Sequence, residues 1–172
     1  MPDHPLTVRP ATPADVLAIL GFIRELADYE KLSHAVVATE DKLRECLFGP
    51  RPVAEALVAT SDGQPVGYAL FFHTMSTFLA RPGIYLEDLY VQPNARGRGV
   101  GKALLRTLAA IARDRGCARL EWSVLNWNEP AIRFYEALGA KPQGEWMMYR
   151  MTVPEITALA DAPLEPGPSG PR

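Results

Sequence analysis

The fold is indicated most strongly by I-Y-L-E-D-L-Y-V, residues 84–91, and by R-G-R-G-V-G, residues 96–101, which follows closely. The first segment is rich in aliphatic and aromatic residues and is predicted to be a strand. After the glycine-rich segment, apolar side chains recur at helical spacing at Leu104, Leu105, Leu108, Ile111 and Ala112. The sequence therefore predicts a strand, a glycine loop and an amphipathic helix in direct succession.

The glycine loop has the composition of an anion-binding turn. Its three glycines let the backbone approach a ligand closely, and the start of the next helix offers unpaired N–H groups and a positive dipole end. Positive charge is added by Arg96, Arg98 and Lys102. These features favour a phosphate-bearing ligand, and the alternative is a tight surface turn with solvated arginines.

Two common nucleotide-binding motifs do not fit this loop. A nucleoside-triphosphate P-loop needs glycine at position 96 and Ser or Thr at position 103, where the chain has Arg96 and Ala103. The dinucleotide fingerprint fails because the third glycine, Gly101, comes one residue early.

The rest of the chain alternates between strand and helix patterns. Predicted strands occupy residues 6–9, 54–60, 65–74, 119–125 and 146–152. Predicted helices begin at the caps Thr12 and Thr39 and cover residues 129–138. Antiparallel hairpins followed by a strand-helix-strand crossover predict an α/β (mixed α+β) domain with a central, mostly antiparallel sheet, closed by the strand at 146–152.

The composition predicts one domain, residues 1–153, and a tail, residues 154–172. Four prolines among the last ten residues cannot continue a helix or a ladder, so the tail is expected to be disordered after a short helix near 155–159.

Several functional classes are disfavoured by composition. The chain has 172 residues and a net charge of −2, which argues against broad nucleic-acid binding. It has no apolar run of bilayer length and no apolar segment near the N-terminus, so we expect no membrane partner and a cytoplasmic location. Two cysteines and three histidines without metal-ligand spacing predict no metal site.

Three further stretches narrow the interpretation. N-W-N-E-P-A-I-R-F-Y-E-A-L-G-A occupies residues 126–140, V-R-P-A-T-P-A-D residues 8–15 and E-L-A-D-Y-E residues 25–30. Together with Y-L-E-D-L-Y-V and R-x-x-G-x-G, they resemble the GNAT superfamily of N-acetyltransferases. Within it, the chain is most similar to the diamine (spermidine/spermine) branch and its thialysine-acetylating relatives, over roughly residues 6–151.

The resemblance implies a fold, a co-substrate and site residues. The sheet is expected to be splayed between its fourth and fifth strands, with acetyl-CoA in the gap and no metal. Backbone groups of Leu89, Tyr90 and Val91 would bind the pantetheine arm. The pyrophosphate would be held by Arg96, Gly97, Arg98, Gly99, Val100, Gly101 and Lys102, and the coenzyme would also be lined by Asn128, Glu129, Pro130 and Ala131. The family often forms homodimers, so a homodimer is expected.

The chemistry of acetyl transfer suggests catalytic roles for two further residues, Glu87 and Tyr135. An amine is protonated at pH 7 and must lose a proton before it can attack a thioester, and Glu87 is the expected base or water-positioning group. A thiolate leaves more readily with a proton donor, and Tyr135 matches the general acid of the family. Because adjacent residues of a strand face opposite sides, only one of Glu87 and Asp88 is expected to point into the site.

Candidate substrate-binding residues complete the set. Acids attract a cationic amine, which singles out Glu87 as a substrate-binding residue too, Glu30 beside Tyr29, and Glu121 beside Trp122 and Ser123. The expected acceptor is a polyamine, a diamine or a lysine-like amine, acetylated by direct transfer in a ternary complex. Two alternatives stay open: a protein or peptide N-acetyltransferase, and a non-catalytic acyl-CoA sensor.

Overall fold

Five strands form one mixed sheet in the order β1-β2-β3-β4-β5. The computed structural model describes residues 6–163, and its strands are β1 (Leu6–Pro10), β2 (Glu55–Ser61), β3 (Gln64–Ser76), β4 (Arg81–Val91) and β5 (Arg119–Trp122). Pairing is antiparallel from β1 through β4 and parallel between β4 and β5. The predicted mixed, mostly antiparallel sheet is confirmed.

The helices are α1 (Val16–Tyr29), α2 (Glu40–Phe48), α3 (Val100–Asp114), α4 (Glu129–Ala137) and α5 (Val153–Asp161). The first three of them pack against this sheet. α1 and α2 bury Ile19, Phe22 and Leu43 against Tyr68 and Tyr90 of the sheet. α3 contacts all five strands and buries its apolar stripe, including Leu104 and Leu108.

A β-bulge in β4 interrupts the pairing with β3. Leu70 lies opposite Asp88, but the next residue of β3, Phe71, lies opposite Leu86, so Glu87 is the extra residue. An extra residue shifts the alternation of side chains along a strand.

The bulge brings two adjacent acids to the same face of the sheet. After the bulge, Tyr90 packs in the core beneath α1, and Asp88, two residues earlier, faces the same side. Glu87 lines the same cavity as Asp88. The expectation that only one of the two acids points into the site is therefore wrong, because the bulge breaks the alternation on which it rested.

The ladder between β4 and β5 ends early. It runs from the pair Gly83–Arg119 to the pair Leu86–Trp122, whereas β4 continues to Val91. The two strands part after Leu86, which confirms the predicted splay. β5 also ends at Trp122 rather than at residue 125, because its ladder with β4 stops there.

A charged cap fixes the start of α1. The Asp15 carboxylate accepts two hydrogen bonds from the Arg9 guanidinium, at 2.7 and 2.8 Å, and two from Thr12, at 2.7 Å from N–H and 2.8 Å from the hydroxyl. Asp15 is only 6% exposed. These hydrogen bonds, led by those from Arg9, hold the pKa of Asp15 far below its usual range.

We expect Asp15→Asn to lower the free energy of unfolding by about 2–3 kcal/mol at pH 7, because a buried group loses charge-assisted hydrogen bonds. Asp15 has a lowered pKa in the folded state, so its stabilisation is present above the unfolded pKa of about 4 and is lost as the pH falls. The deficit of the variant should therefore shrink towards pH 3, as measured by urea unfolding. Asp114→Asn, which removes an exposed ion pair with Arg113, is the control and should change stability by less than about 1 kcal/mol. A deficit as large at pH 3 as at pH 7 would contradict this account.

Of the described residues, 126–163 belong to a second compact unit. Between residues 126 and 163 the structure has α4 and α5 but no strand, so the predicted strand at 146–152 is wrong. A strand forms only when a neighbour satisfies its backbone hydrogen bonds, and no strand within this unit supplies them. Its apolar side chains are exposed instead, at Trp146, Met147, Met148, Tyr149 and Met151.

The start of the predicted tail is helical. α5 spans Val153–Asp161 and begins with a capping box, in which the Glu155 carboxylate accepts a hydrogen bond from the Thr152 N–H at 2.8 Å. This agrees with the short helix expected near 155–159. Residues 164–172 lie outside the described residues, and the division of the chain at residue 153 stays a prediction.

Candidate active site

A cavity of about 440 Å³ opens between the end of α1, the following loop and the bulge of β4. Its walls are mostly apolar, with Ile23, Leu26, Ala27, Leu32, Ala35, Val36, Val37 and Ala38. Its polar groups are the carboxylates of Glu30, Glu87 and Asp88. Apolar walls with a few convergent charges are typical of a small-molecule site.

The three carboxylates give this cavity a negative field. Glu30 is the C-cap residue directly after α1, whereas Glu87 and Asp88 come from the bulge. Burial, and then the charge of Asp88, raise the pKa of Glu30. Burial also raises the pKa of Asp88, and a hydrogen bond from Tyr68 partly opposes this. Within residues 6–163, neither Glu30 nor Asp88 forms an ion pair with Lys or Arg. The arrangement is suited to a cationic ligand.

Tyr68 lies beneath these acids and was not singled out by the sequence. Its hydroxyl donates a hydrogen bond to Asp88 Oδ2 at 2.7 Å, and its side chain is fully buried. Burial, and then the nearby charge of Asp88, raise the pKa of Tyr68 well above 10. Alternation along β3 predicts that Tyr68 is buried. The partner of its hydroxyl depends on strand register, which cannot be read from the sequence.

The glycine loop precedes α3 as predicted. Gly97 and Gly99 have φ values of +74° and +82°, which favour glycine, and Gly99 is the N-cap of α3. A Cβ atom added to either glycine would meet no other atom within 4 Å. The loop is therefore open on this side, and the exposed side chains of Arg98 and Lys102 lie beside it.

Arg96 connects this loop to α1. Its Nε donates to the carbonyl of Val91 at 2.9 Å, and its guanidinium carbon lies 5.3 Å from the ring centre of Tyr29 and 5.7 Å from that of Tyr90. Tyr90 in turn donates to the Glu25 carboxylate at 2.9 Å. Arg96 therefore contacts Tyr90 and Val91, two other predicted coenzyme residues, and also Tyr29, a predicted substrate residue.

The predicted substrate residues Glu121, Trp122 and Ser123, at the end of β5, do not line the cavity described above. Glu121 forms an ion pair with Arg119 at 3.4 Å, and Ser123 shares a hydrogen bond of 2.7 Å with the Tyr85 hydroxyl. Trp122 is half-buried in the last pair of the β4–β5 ladder. Of the six predicted substrate residues, the structure brings Glu30 and Glu87 to the cavity.

Within the second unit, Asn128 caps α4. Its side-chain oxygen accepts from the Ala131 N–H at 3.4 Å, Pro130 lies in the first turn, and Glu129 pairs with Arg133 at 2.9 Å. Predicted coenzyme residues 128–131 are therefore the N-terminal cap of this helix.

Tyr135 lies near the end of α4 and is half-buried. Its ring centre is 5.4 Å from that of Phe134, and its carbonyl accepts from Leu138 and Ala140. Its placement in a helix agrees with the sequence prediction.

Two further findings on residues 6–163 concern membranes and metal ions. None of the helices within residues 6–163 has the length and apolar character needed to cross a bilayer. The same residues contain no group of three or more His, Cys, Asp or Glu side chains placed to hold a metal ion.

A splayed mixed sheet with a glycine loop at the start of α3 defines an acyltransferase of the acetyl-CoA-dependent class, and comparison with known proteins agrees. Residues 22–140 match the acetyltransferase (GNAT) family. The chain belongs to this family.

Individual relatives support the assignment. The thialysine N-epsilon-acetyltransferase of Bos taurus is 41% identical over 164 residues, covering 89% of this chain and 96% of the relative. The L-ornithine N5-acetyltransferase NATA1 of Arabidopsis thaliana is 31% identical, covering 88% and 86%. Among solved structures, an integron cassette protein of V. cholerae aligns with a TM-score of 0.77 and 26% identity, covering 91% of this chain and 98% of that one. The chain is an acetyl-CoA-dependent N-acetyltransferase of small molecules.

Two features of the structure fit an acyl-CoA ligand. The β4–β5 ladder stops at Leu86, so the β4 backbone at residues 89–91 extends beyond β5. The loop at Gly97 and Gly99 has open space on its glycine side at the start of a helix. A backbone edge suits the amide-rich pantetheine arm, and a helix N-terminus suits a pyrophosphate.

Proposed function

We propose that the acceptor is the primary ammonium group of a small diamine, polyamine or lysine-like amine. The observation that supports this most is the cavity lined by Glu30, Glu87 and Asp88 with apolar walls. Carboxylates bind ammonium groups, and apolar walls accommodate the methylene chain between them. Relatives named for thialysine and ornithine, both amino acids with a side-chain amine, agree with this class.

The proposed reaction proceeds by direct transfer within a ternary complex. Acetyl-CoA supplies the acetyl group as a thioester when bound. Glu87 accepts the proton of the ammonium group, directly or through water, so that the nitrogen has a lone pair for attack. Tyr135 donates its phenolic proton to the departing sulfur.

Coenzyme binding is proposed to use backbone groups in two places. Amide and carbonyl groups of Leu89, Tyr90 and Val91 hold the pantetheine arm, and N–H groups of residues 97–102 hold the pyrophosphate. Arg98 and Lys102 add charge at this end, and Arg96 positions the loop through its contacts with Tyr29 and Tyr90. The resemblance also supports residues 128–131 as coenzyme residues, and Glu121, Trp122 and Ser123 as substrate residues.

The test of this proposal is thiol release from acetyl-CoA across a panel of acceptors. The panel contains putrescine, spermidine, lysine, thialysine, ornithine, an aminoglycoside and short peptides. We expect rapid release with one or more of the small amines and little with peptides. Release with peptides alone would contradict the proposed class and favour a protein acetyltransferase. Coenzyme binding without release on any acceptor would contradict catalysis and favour a sensor.

We propose that the enzyme is a homodimer. The resemblance supports it, and so does the segment 146–153, whose exposed apolar side chains suit burial against a second copy. Light scattering at micromolar concentration is expected to give twice the mass of one chain. The double variant Trp146→Ser, Met148→Ser should shift the mass towards one chain, whereas Val37→Ser, also an exposed apolar residue, should not. A single-chain mass for the unmodified protein at all concentrations would contradict the dimer.

The proposal includes a cytoplasmic location, one catalytic domain over residues 1–153, and neither a nucleic-acid nor a membrane partner. A net charge of −2 supports the absence of nucleic-acid binding. Cell fractionation with an antibody to the chain tests the location.

A further inference from the structure

Tyr68 carries a hydroxyl group in a place where the surrounding core is apolar. Its ring is stacked on that of Phe22, with centres 5.8 Å apart, and the side chain has no exposed surface. A phenylalanine would make the same ring contacts without burying a polar atom. A buried hydroxyl is costly unless it is paired, so its partner identifies what it does.

That partner is one of the cavity carboxylates. The hydroxyl donates to Asp88 Oδ2 at 2.7 Å, and Tyr68 lies on β3 two residues before Leu70, which faces Asp88 across the ladder. The ring thus reaches Asp88 diagonally from below the cavity and fixes one oxygen of the carboxylate. Fixing one oxygen restricts the rotation of the group and determines where its other oxygen points.

We propose that Tyr68 is a positioning residue for amine recognition, which acts by orienting Asp88 as a second carboxylate beside Glu87. The inference rests on the proposed function, since it concerns the same cavity. Glu87 is the extra residue of the bulge and is exposed, whereas Asp88 is half-buried. The two acids therefore have separate tasks: Glu87 accepts the proton of the reacting nitrogen, and Asp88 holds an ammonium group by charge and hydrogen bonding.

The pair also sets the pH range of amine binding. Burial raises the pKa of Asp88, and the hydrogen bond from Tyr68 lowers it. The other titratable groups facing Asp88 are Glu30 from α1 and Glu87 on its own strand, while the loop at 32–38 contributes apolar residues to the lining. The charge of Asp88 in turn contributes to the raised pKa of Glu30. Loss of the Tyr68 hydroxyl raises the pKa of Asp88 further, so the charge that binds an ammonium group is lost at a higher pH.

The experiment uses Tyr68→Phe in the full chain and 1,4-diaminobutane as the probe, with binding measured by calorimetry from pH 5 to pH 9. We expect Kd at pH 7 to rise about tenfold, as for loss of a hydrogen bond to a charged group. The pH midpoint at which binding is lost should move upward, and acetyl-CoA affinity should stay unchanged. Thr7→Val is the matched control, because it removes a hydroxyl hydrogen bond, Thr7–Thr60 at 2.6 Å, from the β1–β2 side of the sheet.

A second variant separates positioning from a structural role. Asp88→Asn keeps an acceptor for Tyr68 but removes the charge, and we expect it to weaken binding at least as much as Tyr68→Phe. In the Asp88→Asn background, Tyr68→Phe should have little further effect, because both act through the same carboxylate. Additive effects of the two substitutions would overturn the inference.

The remaining outcomes distinguish this inference from the proposed function. Unchanged Kd and pH midpoint in Tyr68→Phe, with or without a lower thermal midpoint, would leave Tyr68 a structural residue. Absence of diaminobutane binding by the unmodified protein would also overturn the inference, even if another amine is acetylated. Binding with the expected dependence on Tyr68, but no thiol release on any acceptor, would uphold the inference and contradict the proposed catalysis.

Discussion

Tyr135→Phe is expected to release thiol from acetyl-CoA about 100-fold more slowly at saturating amine, with little change in the KM for either substrate. The substitution removes one oxygen and keeps the ring, including its contact with Phe134 at 5.4 Å. A positioned general acid contributes typically 10²- to 10⁴-fold to a reaction, so the loss should appear in kcat. Steady-state kinetics at pH 7.5 with the best acceptor of the panel measures it.

The control for this variant lies on the same helix. Glu136→Gln changes an exposed side chain next to Tyr135 and should retain full turnover. Unchanged acetyl-CoA affinity in Tyr135→Phe is needed to show that the coenzyme site is intact. Full turnover of a folded Tyr135→Phe enzyme would remove Tyr135 from the mechanism.

Glu87→Gln is expected to lower kcat/KM for the amine by about 100-fold at pH 7, because the amide cannot accept the proton of an ammonium group. The deficit should shrink as the pH approaches 10, where much of a primary amine with a pKa near 10.4 is already neutral. A plot of log kcat/KM against pH for both proteins therefore tests proton acceptance rather than packing.

The matched control is an exposed glutamate away from the cavity. Glu45→Gln on α2 should leave the pH profile unchanged. A Glu87→Gln deficit that is equally large at pH 7 and pH 10 would assign Glu87 to amine binding alone. The same measurement on Asp88→Asn separates the two acids, since a binding carboxylate should mainly raise KM.

The elements that could be predicted from sequence are those with strong local signals. The strand 84–91, the glycine loop and α3 occur as expected. The apolar residues of α3 have a clear helical period, and glycine readily adopts the positive φ values found at Gly97 and Gly99. Thr12 and Thr39 are N-cap residues in the structure, as their positions in the sequence predicted. The strand at 146–152 fails because its pattern, although apolar, has no pairing partner in its unit.

The candidate site was harder to predict because it depends on register. Glu30 and Glu87 are recognisable as acids near motif positions, but the sequence carries no mark of an extra residue in β4. Without the bulge, strand alternation sends Asp88 to the far side of the sheet. The role of Tyr68 is equally invisible, since its hydrogen bond to Asp88 requires β3 and β4 to pair with a shift at this point.

The bulge at Glu87 and the end of the β4–β5 ladder at Leu86 fall at neighbouring positions of one strand. Backbone hydrogen bonds lie in the plane of a sheet, whereas side chains project perpendicular to it. Under the proposed function, backbone groups therefore hold the acyl donor in the plane of the sheet, and side chains hold the amine above this plane. The two substrates approach along nearly orthogonal directions. A single strand can thus orient both partners of the reaction without either one blocking the entry of the other.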